Sequence, residues 1–329
     1  MGTIRVFGKF TKMKRAILLG SLATSAVVLL LVASQDRLIY MKRTYESHGL
    51  KQYYQNIRTH FDQNTGRMVL DVAYKTSFGM QTAFWIPPKG DAIQSGTFGK
   101  LWIVFGGNAQ LALDWLWFVE KLGEPFYKDS FLLIDYPGYG NCGGDTVGST
   151  TVLESVHFAT ESVIKMLYEN HTNRIPDVGV LAHSLGCAAG LHFAVSSRYK
   201  VNHLVLSSPF ASIPKMAEQI FVPTPLRTYP AVSAIFDSLI SPRNRWNNIQ
   251  AIDELAERAK NEKRTVKLVI FHGDDDEICP FEQGKSLHER MLLHQPHLES
   301  KFIAIRGGDH NGLIEKAFTK ISKSLQSRL

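Results

Sequence analysis

Val180-Leu181-Ala182-His183-Ser184-Leu185-Gly186 is a short apolar run that ends at a serine flanked by small residues and continues into Cys187-Ala188-Ala189-Gly190. The pattern predicts a strand, a tight turn and a helix, with Ser184 held in a strained backbone corner and its hydroxyl pushed outward. The usual form of such a turn is Gly-x-Ser-x-Gly. Here Ala182 stands at the first glycine, one methyl larger but still small. The same string is compatible with an ordinary strand-to-helix turn, so its meaning depends on what the rest of the chain supplies.

Working outward, short apolar runs recur at 101–105, 131–136, 178–182, 203–207, 266–271 and 301–305. Two more, 68–75 and 80–86, are separated by Thr76-Ser77-Phe78-Gly79 and stop at Pro87-Pro88, which predicts a hairpin. Between the runs lie helical patterns: Val152, Val156, Ala159, Val163 and Leu167 share one helix face, as do Leu313, Ile314, Phe318, Ile321 and Leu325 near the end. Strands alternating with amphipathic helices imply an α/β fold, a mainly parallel sheet covered on both faces. One segment, about 209–264, breaks the rhythm and carries six of the 13 prolines among apolar residues. It is too long for a simple loop and is expected to be a helical cap inserted over the sheet's functional edge.

At 329 residues and 44% hydrophobic content the chain can bury one large core. Its net charge of +7 does not indicate a nucleic-acid partner, because Arg5, Lys9, Lys12, Lys14 and Arg15 supply five of it and the remainder is nearly neutral. After this basic tail (1–15) comes an uncharged apolar segment, 16–34, long enough at ~1.5 Å per residue to cross most of a ~30 Å hydrocarbon core. It is expected to be a signal-anchor, with the tail cytosolic and the remaining chain luminal or extracellular; secretion after cleavage near Val32-Ala33-Ser34 is the alternative. Residues 35–66, with Leu50, Tyr53, Tyr54 and Ile57 at helical spacing, are expected to form a stem, and 67–329 the globular domain. Cys142, Cys187 and Cys279 suggest neither a disulfide framework nor a metal site, and Asn170-His171-Thr172 is a possible glycosylation site.

Acyl transfer by a serine needs a base for the hydroxyl proton, a carboxylate to hold that base, and donors for the developing oxyanion. The strand at 266–271 runs into His272-Gly273-Asp274-Asp275-Asp276-Glu277, and the strand ending at Ile305 runs into Gly307-Gly308-Asp309-His310. Both follow strands at the carboxyl edge of a parallel sheet, where ligands bind, and the order Ser, Asp, His is that of the hydrolases.

Together with Phe105-Gly106-Gly107-Asn108-Ala109 and Asp135-Tyr136-Pro137-Gly138-Tyr139-Gly140, these segments make residues 67–329 resemble the α/β-hydrolase superfamily, and within it the membrane-anchored ABHD-type, serine-aminopeptidase-like hydrolases. The resemblance implies Ser184 as nucleophile, His310 as general base and Asp276 as its carboxylate, with Asp275 the runner-up. It also implies backbone N–H donors at Asn108 and Leu185 and no cofactor. Gly106 stands where the family has histidine. Asp309 is expected to cap a helix, and His183 to pack beside the nucleophile.

The implied activity is hydrolysis of acyl esters or thioesters of lipid-like substrates. A serine peptidase of the prolyl or aminopeptidase kind, or a non-catalytic interaction module on the same fold, remains open. Gly138-Tyr139-Gly140-Asn141-Cys142-Gly143 spells a dinucleotide fingerprint, but its helix is expected only near Thr151, too late to meet a pyrophosphate. His288-Glu289, His294 and His297 lack the spacing of a zinc site.

Overall fold

β1 (Leu70–Thr76) and β2 (Gly79–Ile86) form the expected hairpin, Thr76 facing Gly79 across the turn. The structure, a computed structural model, describes residues 34–326 apart from 47–48, 91, 93–94, 96, 145–146 and 172–176, and leaves the side chains of 168–171 undescribed. The sheet continues with β3 (Leu101–Phe105), β4 (Ser130–Ile134), β5 (Val178–His183), β6 (Val201–Ser207), β7 (Val266–Gly273) and β8 (Leu298–Ile305). Its order is β1-β2-β4-β3-β5-β6-β7-β8. β2 runs antiparallel to β1 and β4, and every pairing from β4 to β8 is parallel. Every residue of β3, β4 and β5 is buried, because helices cover both faces and leave no water-facing side. The last strand begins earlier than its apolar run suggests. Its exposed residues Glu299 and Ala304 mark it as the edge of the sheet.

The helices are α1 (Gln35–Ile39), α2 (Leu50–Thr65), α3 (Leu116–Leu122), α4 (Ser149–His171), α5 (Leu185–Ser196), α6 (Ile213–Phe221), α7 (Pro230–Leu239), α8 (Asn248–Asn261), α9 (Phe281–Leu292), α10 (Leu313–Lys316) and α11 (Phe318–Gln326). The small residues of α5 let it press onto the middle of the sheet: a Cβ built at Gly190 would lie 2.6 Å from Val180 Cγ1 and 3.5 Å from the Ala182 methyl. That contact explains how alanine is accommodated at 182, since Gly190 opposite leaves room for it.

Two expected boundaries change. Residues 35–66 do not stand apart as a stem, because Tyr40, Tyr45, Tyr54 and Phe61 are buried in the common core. Burying an aromatic or aliphatic side chain of this size is worth about 1.5–3 kcal/mol, enough to hold the segment down. The cap is shorter than 209–264. Its helical part is α6 and α7, which pack on each other, whereas α8 buries Ala251, Ile252, Leu255, Ala256 and Ala259 against α5 and belongs to the layer flanking the sheet. Among the described residues no helix is long and apolar enough to cross a membrane. The expected span at 16–34 lies outside the described residues except for Ser34, and the side chain of Asn170 is likewise outside them.

Candidate active site

The run from β5 into α5 makes the turn foreseen from the small residues. Ser184 adopts φ 54° and ψ −119°, a conformation that costs a non-glycine residue about 1–3 kcal/mol. The turn is held on both sides, by its N–H bonding Ser207 O at 2.9 Å and its carbonyl accepting from the Cys187 N–H at 2.9 Å. Gly186 is obligatory for close packing: a Cβ there would sit 2.4 Å from Phe105 O and 2.6 Å from Gly106 O. The turn is therefore pressed against the loop after β3.

Parallel pairing brings the carboxyl ends of β5, β7 and β8 to one edge, and the loops leaving them converge. His310 Nε2 lies 2.9 Å from Ser184 Oγ, and its Nδ1 lies 2.8 and 3.0 Å from the two oxygens of Asp276. A carboxylate accepts from Nδ1–H, so Nε2 is left to accept the serine proton. Of the four consecutive acids only Asp276 makes this contact. Asp274 instead accepts the Gly307 N–H, and Asp275 donates its own backbone N–H to Gly308 O. Asp276 Oδ1 also accepts the backbone N–H groups of Ile278 and Cys279. Burial pushes the Asp276 carboxyl up, but the bonds from His310 and Cys279 outweigh it and hold the group below its usual range. Asp309 accepts from Gly312 N–H just before α10, close to the capping role expected of it.

The loop after β3 turns at Ala109, which has φ 63°. Gln110 occupies the space beside Gly106, where a side chain would otherwise stand, and its Oε1 accepts the Gly107 N–H at 2.7 Å. Neither the Asn108 N–H nor the Leu185 N–H bonds to an acceptor among the described residues; Leu185 directly follows Ser184, and Asn108 follows Gly107, where a Cβ would lie 3.3 Å from Ser184 Cβ. His183 is fully buried, with Nδ1 3.3 Å from Ser207 Oγ, and burial pulls its pKa down to about 3. It stays neutral at physiological pH. Its ring packs 4.8 Å from that of His310.

Sequence reasoning missed two supports of this edge. The side-chain amide of Asn108 grips residues 39 and 41, and Asp135 is a buried carboxyl without a cationic partner among the described residues, bonded to the Ala112 N–H at 2.7 Å and Tyr45 OH at 2.8 Å. A Cβ at Gly140 would lie 2.2 Å from Asp135 Oδ2, which shows what that glycine serves. It lets the loop fold over Asp135. Burial raises the Asp135 pKa to about 7.

A folded-state pKa above the unfolded value of 3.8 means that this contribution to stability is full below pH 3.8 and is lost as pH rises through 7. Asp135→Asn is therefore expected to gain stability relative to wild type as pH rises from 5 to 8. Each tenfold difference in proton affinity between the folded and unfolded carboxyl corresponds to about 1.4 kcal/mol, which sets the scale of the gain. Urea midpoints at the two pH values measure it, and an equal response of both proteins would refute it.

The chain matches the profile of the Alpha/beta hydrolase family over residues 105–317. It is 30% identical over 228 residues to an uncharacterized protein of Acanthamoeba polyphaga mimivirus, covering 67% of this chain and 70% of that protein. Among solved structures, an esterase of Pyrococcus furiosus is similar with a TM-score of 0.55 at 16% identity, over 80% of this chain and 91% of that one. Dipeptidyl peptidase 4 of Porphyromonas gingivalis has a TM-score of 0.55 at 13% identity, over 80% of this chain and 36% of that one. With its eight-stranded, mostly parallel sheet and the loops gathered at its carboxyl edge, the chain belongs to the alpha/beta hydrolase family.

Proposed function

We propose that the protein is a membrane-anchored serine hydrolase that cleaves acyl esters or thioesters of lipid-like substrates. Ser184 Oγ attacks the acyl carbonyl as His310 Nε2 takes its proton. The alkoxide or thiolate then leaves, protonated by His310, and the same base activates water to release the acid from Ser184. Asp276 holds the imidazole and balances its charge, while the N–H groups of Asn108 and Leu185 receive the oxyanion. The observation that carries this reading is the 2.9 Å contact from His310 Nε2 to a Ser184 held at φ 54°.

The cap supports an apolar substrate. Between Gln219 and Ile240 only Arg227 and Asp237 carry charge, and Ile220, Phe221, Tyr229 and Ile235 are exposed. The apolar segment 16–34, ending where α1 meets the cap, supports an anchor with the basic tail cytosolic and the hydrolase domain on the luminal or extracellular side. Glycan at Asn170 after synthesis with microsomes tests that sidedness.

A fluorophosphonate probe tests the chemistry. Wild type is expected to be labelled and Ser184→Ala to be blank, and an unlabelled wild type would end the hydrolase reading. Turnover of long-chain esters, acyl thioesters and peptides by the labelled enzyme then separates a lipase or thioesterase from a peptidase.

A further inference from the structure

The chain between Ser34 and Tyr45 touches three parts of the active-site edge at once. On the cap side, Gln35 Nε2 donates to Leu239 O at 2.6 Å and Gln35 Oε1 accepts the Ser241 N–H at 2.9 Å. Asp36 pairs with Arg243 at 2.6 Å and accepts from Asn244 Nδ2 at 2.7 Å. Tyr40 OH donates to Asn244 Oδ1 at 3.2 Å and accepts from Trp246 Nε1 at 2.9 Å. On the side of the loop after β3, Asn108 Nδ2 donates to Ile39 O at 2.8 Å and Asn108 Oδ1 accepts the Met41 N–H at 2.8 Å. Arg43 Nη1 donates to Ala109 O at 3.0 Å. On the third side, Arg43 O accepts the Gly140 N–H at 2.8 Å and Tyr45 OH donates to Asp135.

The Asn108 contact has a particular form. A primary amide presents one donor and one acceptor side by side, as a peptide group does, and here it pairs with a backbone carbonyl and a backbone N–H two residues apart. The chain at 39–41 is thus matched to the side chain of Asn108, the residue proposed above to supply an oxyanion donor. Tyr139 OH adds a third bond, to Asn108 Oδ1 at 3.0 Å. Of these contacts, the Tyr40 bonds to Asn244 and Trp246 and the Tyr45 bond to Asp135 are buried and so shielded from competing water, whereas the Met41 N–H bond to Asn108 lies at the surface.

We infer that residues 34–45 form a positioning strap that sets the place of the Asn108 N–H and ties it, through Gln35 and Asp36, to the cap. The strap begins where the apolar segment 16–34 ends, so under the anchor reading proposed above the hydrolase domain would meet the membrane-proximal chain at the loop after β3. This inference rests on the hydrolase reading above for its effect on turnover, but the strap itself is tested independently of activity.

Met41→Pro deletes the donated N–H. The Met41 side chain is 59% exposed, so no core contact is lost, and Tyr40, at φ −115° and ψ 104°, already has the extended conformation required before proline. Two readouts are taken. Amide hydrogen exchange of 106–110 is expected to accelerate, and kcat for a soluble short-chain ester is expected to fall about tenfold or more with KM nearly unchanged, because a misplaced oxyanion donor weakens only the transition state. Met41→Ala, which keeps the N–H, is expected to recover kcat relative to Met41→Pro. Asn108→Ala keeps the backbone donor and removes the clamp together with the Tyr139 bond, and should give the same split even if the proline variant does not fold.

Unchanged exchange at 106–110 would overturn the strap. Faster exchange with unchanged kcat would overturn its positioning role. A wild type that no fluorophosphonate labels would bring down the hydrolase reading first, recognisably, since that result precedes any comparison of variants and leaves the exchange result standing.

Discussion

His310→Ala is expected to lower kcat by about 10⁴- to 10⁶-fold while leaving the fold intact. Among the described residues the imidazole is the only group within hydrogen-bond reach of Ser184 Oγ that can take a proton from it near neutral pH, and His183, its ring neighbour, is held neutral by burial and bonds Ser207 instead. The loss should fall on kcat and kcat/KM alike, because the proton moves only on the way to the transition state. Asp276→Asn should also cost orders of magnitude, since an amide facing Nδ1 can donate and so favours the tautomer with its proton on Nε2. Rates on a soluble ester, with circular dichroism to show that the variants fold, decide the matter. A His310→Ala enzyme within tenfold of wild type would remove histidine from the chemistry.

Gly186→Ala is expected to combine a loss of stability of about 1–3 kcal/mol with a fall in kcat of about 10²-fold. The added methyl would meet two backbone carbonyl oxygens, Phe105 O at 2.4 Å and Gly106 O at 2.6 Å, and backbone cannot swing aside as a flexible side chain can. Relief requires the loop after β3 to retreat from the serine turn. Asn108 lies two residues further along that loop, so its N–H would leave the position from which it can meet an oxyanion. A urea titration and steady-state rates measure the two effects. An enzyme with wild-type kcat would show that the loop is not placed by this contact.

The sheet was legible because strands buried on both faces read as continuous apolar runs, as Leu101–Phe105 and Val178–His183 do, and the serine turn because its close packing demands small residues at 182, 186 and 190. The order of serine, acid and histidine was legible for the same reason, since parallel strands deliver their loops to one edge. The choice of Asp276 over Asp275 rested on resemblance, and geometry now places Asp276 against His310. What escaped were contacts between distant segments. Tyr40, Tyr45 and Tyr54 find Asn244, Asp135 and Asp114, and no local periodicity announces such pairs. The misplaced end of the cap is different: Ala251, Ile252, Leu255, Ala256 and Ala259 keep helical spacing and could have identified α8 as a core-facing helix.

The three free cysteines, all buried, give the molecule an internal gauge of its own opening. Cys187 sits three residues past Ser184 and Cys279 three past Asp276, while Cys142 lies in the glycine loop over Asp135. Burial raises all three thiols, that of Cys279 to about 12, so in the closed protein they are protonated as well as hidden. A thiol reagent can reach them only when the surrounding packing parts, and the rate at which each is modified clocks that event. Two of these clocks run beside the serine and the acid, and the third where the loop closes over Asp135, so fluctuations of the active-site edge can be timed apart from those of that loop without introducing a single label.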